Sequence, residues 1–427
     1  MELIVLFGTF AVLLFLGVPI AVTLGAASMA TVLYMDLPPM IVFQRMASGM
    51  NAFALMAIPF FIYAGELMQH GGISDRLVRL ANAMIGHIRG GLGLVNVLAS
   101  MLFGGISGSA VADASALGTT LIPMMREKGF DADYSVNVTV TSATIGLIVP
   151  PSHNMIIYSI AAGGTVSVSS LFMAGVVPGV LCGLCLMAAA YILAVKRNYP
   201  RENFPGVAAL AYSFATALPG LLTAVIIVGG VLSGVFTATE SSAIAVIYAI
   251  VVTLLVYRSL SFKDFCTATV NAVKTTAMVL LIIGTAASFG WLLALNQVPA
   301  KLFALMQTVS DNPYVLMLLV NVILLFLGTF MDMSPLIIIC TPIFLPVMQN
   351  LGMDPVQFGI VMMINLGIGL VTPPVGSVLF VGCAVGKVRI EDTVKTIWPF
   401  YSAMLLALLL VTYIPAISMS LPNLFMK

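Results

Sequence analysis

The chain has 427 residues, of which 61% are hydrophobic and only 8% are charged, and its formal net charge is +1. Soluble proteins carry about 25% charged residues, so this chain has too few charges to cover a water-soluble fold of its length. Its apolar runs are long rather than short and alternating, which argues against a β-barrel. The composition indicates an all-α polytopic membrane protein in a lipid bilayer. The near-neutral charge predicts no nucleic-acid partner.

Basic residues divide the connectors between the apolar segments into two kinds. Lys and Arg collect in cytoplasmic loops of membrane proteins, and the connectors at 74–90, 126–128 and 196–201 are basic. The connectors at 36–38 and 163–169 contain no Lys or Arg. A path with a cytoplasmic N-terminus satisfies this alternation. Crossing takes about 20 apolar residues, and the segments predicted to cross are 3–34, 54–72, 134–163, 169–196, 214–233, 238–257, 276–296, 355–386 and 393–423.

Two further apolar segments, 91–126 and 313–349, are predicted to begin and end on the same side of the membrane. The first holds the polar run GGISGSAVADAS, which favours a re-entrant helical hairpin over two crossings. The second is its counterpart and enters from the opposite side. Stretches 40–53 and 261–275 are predicted to be amphipathic and interfacial, and 74–90 to be a polar connector.

An internal repeat relates the two halves of the chain. Residues 103–163 align without a gap on residues 326–386. The basic connector REKGFDAD matches QNLGMDPV, which has no basic residue, and GGTVSVS matches the basic GKVRIED. Loops that exchange charge in this way indicate copies of inverted orientation, as in secondary transporters. Matched pairs are mostly Gly, Pro or Asp and include Gly105/Gly328, Pro123/Pro346, Gly129/Gly352, Asp131/Asp354, Gly146/Gly369, Pro150/Pro373, Pro151/Pro374 and Gly163/Gly386.

Four interruptions of the apolar segments are predicted to form a binding site. They are the hairpin tips at 104–115 and 328–335 and the double-proline breaks at 144–154 and 367–377. Proline lacks an N–H and frees backbone carbonyls, which lipid tolerates only where they line a cavity or meet an ion. Oxygen ligands suit Na⁺ by extension of the rules for calcium and magnesium. The hydroxyls that are candidates to join these carbonyls are those of Ser107, Ser109, Thr144 and Thr372.

The half-helices after the two breaks start near Ser152 and Gly376. A helix N-terminus is partially positive and binds anions, so both starts suit a carboxylate substrate. A proline kink in a single membrane helix is commonly just a bend. Two kinks at matching repeat positions, each preceded by a polar hairpin, favour a site instead.

Two acids, Asp113 and Asp332, fall at membrane depth, where an ionisable residue suggests function. They do not align in the repeat, since Asp332 matches Ser109 and Asp113 matches Leu336. Each is either a contact to substrate or ion, or a cap at a hairpin tip, and the sequence leaves both interpretations open.

Three other functional classes are disfavoured. The sequence contains no G-x-x-x-x-G-K-[ST] loop, which excludes ATP hydrolysis by this chain as the energy source for transport. An intramembrane enzyme would require paired acids or a His cluster on facing helices, and the sequence shows neither. A channel would more commonly use oligomeric symmetry than an inverted repeat with two broken helices. A transporter is therefore predicted.

Six motifs are shared with a known family: FGGISGSAVADASALG (103–118), LIPMM (121–125), GLIVPPSHNMIIY (146–158), LFMAGVVPG (171–179), GVFTATESSAIAV (234–246) and GLVTPPVG (369–376). Over essentially its whole length the chain resembles the large membrane (permease) subunit of tripartite ATP-independent periplasmic (TRAP) transporters. The resemblance implies a Na⁺-driven, elevator-type importer of an organic acid anion in the bacterial inner membrane. Sialic acid, another sugar acid or a C4-dicarboxylate is the implied substrate. A stand-alone sodium–dicarboxylate symporter of related fold is the alternative.

The family pattern also implies positions for the ligands. Na⁺ is the expected coupling ion, with no transition metal and no organic cofactor. Its implied ligands are Ser107 and Ser109 with Gly146, Val149 and Pro150, and Gly328 with Gly367, Gly369 and Thr372. Substrate is expected between the hairpin tips, near Ser109, Asp113, Thr144, Ser152, Asn154, Asp332, Gly376 and Ser377.

Two protein partners are implied: a periplasmic substrate-binding protein and a small four-helix membrane subunit. This chain has no room for the small subunit, which is therefore expected as a separate polypeptide. The expected organisation is scaffold and connector (1–90), transport half one (91–163), scaffold, linker and connector (164–312), transport half two (313–386) and a C-terminal helix (387–427).

Overall fold

The computed structural model describes residues 1–426, apart from the side chain of Ile106. The regular structure of these residues is helical throughout. Five helices are long and apolar enough to cross a membrane, or up to seven if each of two bent helix pairs is one span. The predicted all-α polytopic architecture is confirmed. The five are Val168–Lys196, Val207–Leu232, Ala238–Val256, Phe262–Leu295 and Met333–Asn350.

The α-helices follow one another with short connections, and several starts are capped by a side chain. Thr237 and Glu240, for example, form a reciprocal capping box at the start of α12, which satisfies backbone N–H groups that have no partner in the helix. In chain order the helices are α1 (Glu2–Phe15), α2 (Ile20–Tyr34), α3 (Met40–Met50), α4 (Ala57–His70), α5 (Ile73–Ile85), α6 (Gly91–Ser107), α7 (Ala110–Glu127), α8 (Ala132–Ala143), α9 (His153–Ala161), α10 (Val168–Lys196), α11 (Val207–Leu232), α12 (Ala238–Val251), α13 (Phe262–Leu295), α14 (Val298–Gln307), α15 (Pro313–Gly328), α16 (Met333–Asn350), α17 (Pro355–Gly369), α18 (Ser377–Gly386), α19 (Ile390–Thr396), α20 (Trp398–Tyr413) and α21 (Pro415–Phe425).

The prediction of one crossing helix over 3–34 is wrong. The segment forms α1 and α2, which pack against each other. Gly17 is left-handed, with φ 77°, and its N–H bonds the carbonyl of Leu14 at 3.0 Å, which ends α1. Pro19 then occupies the position before the first residue of α2, so the chain turns where an uninterrupted apolar pattern suggested continuity.

Other predicted boundaries also differ from the structure. The stretch 261–275 is not a separate interfacial segment, because α13 runs unbroken through it for 34 residues. The connector 74–90 is largely the helix α5, whose apolar face is buried. The segment 387–427 is not one helix: its described part forms α19, α20 and α21. The stretch 40–53 is a distinct helix, α3, which meets the following helical segment at a bend of 65°.

Two sets of helices can be distinguished by their packing, and they also contact each other, α4 and α5 on α6 and α13 on α16. Helices α2, α3 and α4 pack on α13, and α11 and α12 extend this scaffold group towards α5. The hairpins α6–α7 and α15–α16 form the second group with α8, α9, α17 and α18. Helix α10, which the prediction assigned to the scaffold, packs instead against α6, α17, α20 and α21. Arg197, just after the end of α10, also pairs with Asp131 and Asp133 at the start of α8, each at 3.0 Å.

Each repeat has a short helix that packs against the hairpin of the other repeat. The short helix α9 of the first repeat packs against α16 of the second, and α18 of the second packs against α7 of the first. Helix α18 also lies against α8, and a small residue permits that approach: a Cβ on Gly382 of α18 would lie 2.1 Å from Val140 Cγ1 of α8. Each half-helix therefore rests on the hairpin of the other repeat.

Candidate functional site

The first hairpin tip meets the first proline break through a pair of glycines. A Cβ on Gly104 would lie 2.1 Å from Gly146 Cα, and one on Gly146 would lie 2.4 Å from Gly104 Cα. Neither position can carry a side chain without moving backbone. A Cβ on Gly105 would lie 2.8 Å from the Pro150 carbonyl oxygen and 3.1 Å from that of Val149. The carbonyls of the break thus face the hairpin.

The second hairpin tip meets the second break in the same manner. A Cβ on Gly369 would lie 2.6 Å from Gly328 Cα. Two N–H groups of the break, those of Val375 and Gly376, bond the Thr329 carbonyl at 3.2 and 3.4 Å. The neighbouring hairpin therefore supplies a hydrogen-bond acceptor for two backbone N–H groups of the break.

Asp113 lies inside the first tip and is fully buried. Its Oδ1 accepts a hydrogen bond from the Ser107 hydroxyl. Its Oδ2 is buried without a hydrogen-bond partner among the described residues, and it would lie 2.5 Å from a Cβ on Gly146. A buried carboxylate oxygen that faces crowded backbone is an unsatisfied acceptor, and the geometry suits a bound cation.

The other predicted hydroxyls near the breaks have mixed environments. Ser152 is fully buried and its Oγ has no partner among the described residues. Ser109 caps α7 by accepting from Ala112 N at 3.3 Å. Thr144 and Thr372 donate to the helical carbonyls of Thr141 and Ile368, at 2.8 and 2.7 Å. All four oxygens keep acceptor lone pairs. Thr144 also faces Gly367, its own match in the repeat, whose added Cβ would lie 3.5 Å from Thr144 Cβ.

A cavity of ≈ 500 Å³ separates the two tips from the scaffold group. Three helices begin at its polar side: α7 just after Ser109, α9 at His153, and α16 just after Asp332. The opposite wall is formed by residues 19–22 of α2 and its preceding turn and by residues 275–282 of α13. Among the described residues that line the cavity, none is Lys or Arg. The charged elements of this lining are therefore the helix N-termini, which favour anions, and the Asp332 carboxylate.

Asn154, in the first turn of α9, links the two hairpins. Its Nδ2 donates to the Gly108 carbonyl at 3.0 Å, and its Oδ1 accepts from the Ser334 hydroxyl at 3.2 Å. At the matching position Ser377 donates to Asp332 Oδ1 at 2.9 Å. Asn154 is thus the residue through which both tips and one break are joined.

The structure brings only part of the predicted substrate set to the cavity. Ser109, Asn154 and Asp332 line it. Asp113 is buried within the first tip and does not line the cavity, and the other predicted substrate residues (Thr144, Ser152, Gly376 and Ser377) are also absent from the described lining. Ser334 and the wall formed by α2 and α13 also line the cavity but were not among the predicted residues. Ser334 could have been predicted from the sequence, because it lies two residues after Asp332 at the start of a helix. The apolar residues of α2 and α13 that line the cavity belong to no sequence motif.

Comparison with known proteins identifies the family. A family model described as "Tripartite ATP-independent periplasmic transporter, DctM component" matches residues 7–417. The chain belongs to this family. The protein YgiK of Salmonella typhimurium is 44% identical over 99% of this chain and 98% of its own length. The sialic acid TRAP transporter large permease protein SiaM of Vibrio cholerae is 38% identical over 97% of each chain.

A fused relative and a solved structure complete the comparison. The isethionate TRAP transporter permease protein DctMQ of Oleidesulfovibrio alaskensis is 40% identical over 97% of this chain, which spans 65% of that longer protein. The YdaH transporter of Alcanivorax borkumensis shares the fold, with a TM-score of 0.65 at 15% identity over 87% of each chain. This chain is accordingly a TRAP large permease: a multi-pass membrane transporter and not an enzyme.

Replacing Asn154 by Ala removes the bonds to Gly108 and Ser334 and leaves a buried carbonyl unpaired. An unsatisfied buried group costs about 1–3 kcal/mol, so we expect a lower melting temperature for the purified protein. The matched variant Ser377→Ala loses a bond to the exposed Asp332 and should melt closer to the wild type. Equal melting temperatures for Asn154→Ala and the wild type would contradict the bridging role.

Proposed function

We propose that this permease imports an organic acid anion across the bacterial inner membrane and couples its import to Na⁺. The observation that carries the proposal is the cavity between the tips, where the N-terminal ends of three helices meet. Helix N-termini bind carboxylates in transporters built from broken helices. The volume of the cavity suits a small organic ligand. A sugar acid such as sialic acid fits this description, and a C4-dicarboxylate is the second candidate.

The first break and the tip beside it supply the proposed Na⁺ ligands. The Asp113 carboxylate, the Ser107 and Ser152 hydroxyls and the carbonyls of Val149 and Pro150 all belong to this region, and Asp113 and Ser152 each hold a buried oxygen without a described partner. Hard cations prefer such oxygen donors. A cation there would neutralise the buried carboxylate, whose charge has no basic partner among the described ion pairs.

The second break provides a different environment for a second Na⁺. Gly328 and Gly369 bring backbone close together, Gly367 lies beside Thr144, and Thr372 supplies a hydroxyl oxygen. The position that matches Asp113 is Leu336, so this site has no buried carboxylate of its own. In both proposed sites a glycine of the hairpin tip lies close to a glycine of the break, but only the first site contains a buried carboxylate.

The repeats are proposed to lie in opposite orientations in the membrane. The contact between the matched residues Thr144 and Gly367 supports a pseudo-twofold axis between the breaks. The exchange of α9 and α18 between the two hairpins supports the same axis. Hairpins α6–α7 and α15–α16 would then enter from opposite sides and meet near the middle of the bilayer as re-entrant elements.

We propose that the hairpin group moves as one body against the scaffold group in an elevator-type motion. Both breaks contact α20: Thr144 bonds Met404 Sδ at 3.8 Å, and Tyr401 donates to the Val371 carbonyl. Since α10 packs on α20 as well, α10 and α20 would travel with the hairpins. The mobile body is therefore larger than residues 91–163 and 313–386 alone.

Two protein partners are part of the proposal. Transporters of this family are tripartite, and we expect a periplasmic binding protein to deliver the substrate to this chain. We expect the small membrane subunit to be a separate chain. The fused relative DctMQ extends well beyond the part that this chain matches, which is consistent with a second subunit joined to it.

Cysteine labelling tests the inverted orientation. Cys266, an exposed native cysteine, is first replaced by Ser, and Lys128→Cys and Asn350→Cys are then made separately. An impermeant maleimide added to intact cells with a permeabilised outer membrane should label residue 350, and should label residue 128 only after the inner membrane is opened. Labelling of both positions from the same side would overturn the inverted topology.

Transport in proteoliposomes tests the coupling. With the small subunit and the binding protein present, uptake of the acid that the binding protein recognises should follow an inward Na⁺ gradient. Replacing Na⁺ by choline should reduce uptake to background. Unchanged uptake in choline would refute Na⁺ coupling, and full uptake without the binding protein would favour a stand-alone symporter.

The variant Asp113→Asn tests the carboxylate at the first break. Loss of the charge should raise the Na⁺ concentration for half-maximal uptake by about tenfold or more, because a buried cation loses its counter-charge. Asp311→Asn, at an exposed position outside the site, is the matched control and should titrate like the wild type. An unaltered Na⁺ titration for Asp113→Asn would remove this side chain from the ion site.

A further inference from the structure

A second cavity lies at the basic end of α10. It shares no described lining residue with the proposed transport cavity. Its volume is ≈ 600 Å³. One wall is the loop between α5 and α6, and the other is the end of α10 with the segment that follows it. The lining residues are His87, Ile88, Arg89, Tyr191, Tyr199 and Arg201.

Two arginines give this cavity a positive charge. Arg89 donates from Nη2 to Asn198 Oδ1 at 2.7 Å, and Arg201 donates from Nε to the His87 carbonyl at 3.1 Å. These bonds orient the two guanidinium groups but use one donor of each, and a guanidinium has five. Neither arginine has a carboxylate within 4.0 Å in the described part of the chain.

The acids nearby are already paired. Asp131 accepts from Tyr199 at 2.7 Å and pairs with Arg197 at 3.0 Å. Glu202 pairs with Lys128 at 3.0 Å. The cavity therefore keeps a surplus of positive charge, with oriented N–H donors that suit an oxyanion such as phosphate.

An exposed apolar stripe on α10 leads to this cavity. Val180, Leu184, Tyr191 and Val195 are spaced by four, seven and four residues, which places them on one helix face. Their exposures are 44%, 57%, 43% and 39%. Tyr191 belongs both to the stripe and to the cavity lining. A hydrocarbon chain can thus lie along α10 while a charged group attached to it reaches the arginines.

We propose that this cavity binds the phosphate headgroup of an anionic phospholipid, with the acyl chains along the exposed face of α10. Basic pockets between membrane helices on the cytoplasmic side favour such headgroups, and the connectors around this cavity are the basic ones. The loop at 86–90 joins α5, which packs on α11, to α6 of the first hairpin. The lipid would therefore sit where the scaffold group connects to the hairpin group.

Native mass spectrometry of the full chain in detergent tests the proposal by measuring lipid dissociation constants. Phosphatidylglycerol should bind more tightly than phosphatidylcholine. The double variant Arg89→Ala/Arg201→Ala should weaken phosphatidylglycerol binding about 30-fold, which corresponds to about 1 kcal/mol for each cation. Arg89→Lys/Arg201→Lys keeps both charges and should retain most of the affinity. Arg258→Ala/Lys263→Ala, in a different basic connector, should bind like the wild type.

Three outcomes would overturn the proposal. Equal affinity for phosphatidylglycerol and phosphatidylcholine would show that charge is not recognised. Unchanged binding by the double Ala variant, or equal loss in the Arg258/Lys263 control, would place the lipid elsewhere. Displacement of the lipid by inorganic phosphate at equal concentration would show that a free anion, rather than a lipid, is the ligand. The melting temperature of each variant, measured without lipid, separates loss of binding from loss of folding.

Discussion

The structure depends on the crossed packing of two short helices, each against the hairpin of the other repeat. Helix α9 lies on α16, and α18 lies on α7. Neither helix exceeds ten residues, and helices this short are marginal without tertiary support. Each repeat therefore supplies part of the packing surface of the other. The cavity between the tips can form only when both repeats are folded against each other, and Asn154 makes that dependence specific through its bonds to both tips.

Glycine contacts set how closely the hairpins approach the breaks. At Gly104 and Gly146, and again at Gly328 and Gly369, backbone lies where other residues place a side chain. Close backbone approach concentrates carbonyl dipoles in a small volume, which is unfavourable in apolar surroundings unless a donor or a cation is present. At the second break two N–H groups approach the Thr329 carbonyl. At the first break Asp113 adds an unsatisfied oxygen, so the two halves are alike in shape but unequal in charge.

The sequence predicted the tips and breaks because Gly and Pro act on the backbone locally, so their positions can be read without knowing the fold. The half-helices begin at His153 and Ser377, next to the predicted Ser152 and Gly376. Features set by packing were less accessible. The association of α10 with the hairpins and the contact of Ser334 with Asn154 both join residues distant in the chain. The unbroken α13 was mispredicted because the polar residues of 261–275 resemble an interfacial segment, although the helix continues through them.

The polar groups around the proposed transport cavity are distributed very unevenly. Ser109, His153, Asn154, Asp332 and Ser334 all belong to the hairpin group, whereas Thr275 is the one polar side chain among the described lining residues of α2 and α13. In the proposed motion a bound solute would keep its hydrogen bonds, because the polar side chains that make them move together with it. The scaffold side would present an apolar surface with almost no hydrogen-bonding side chains. Because movement along such a surface would break few directional bonds, the barrier to the proposed motion would depend little on which solute is bound.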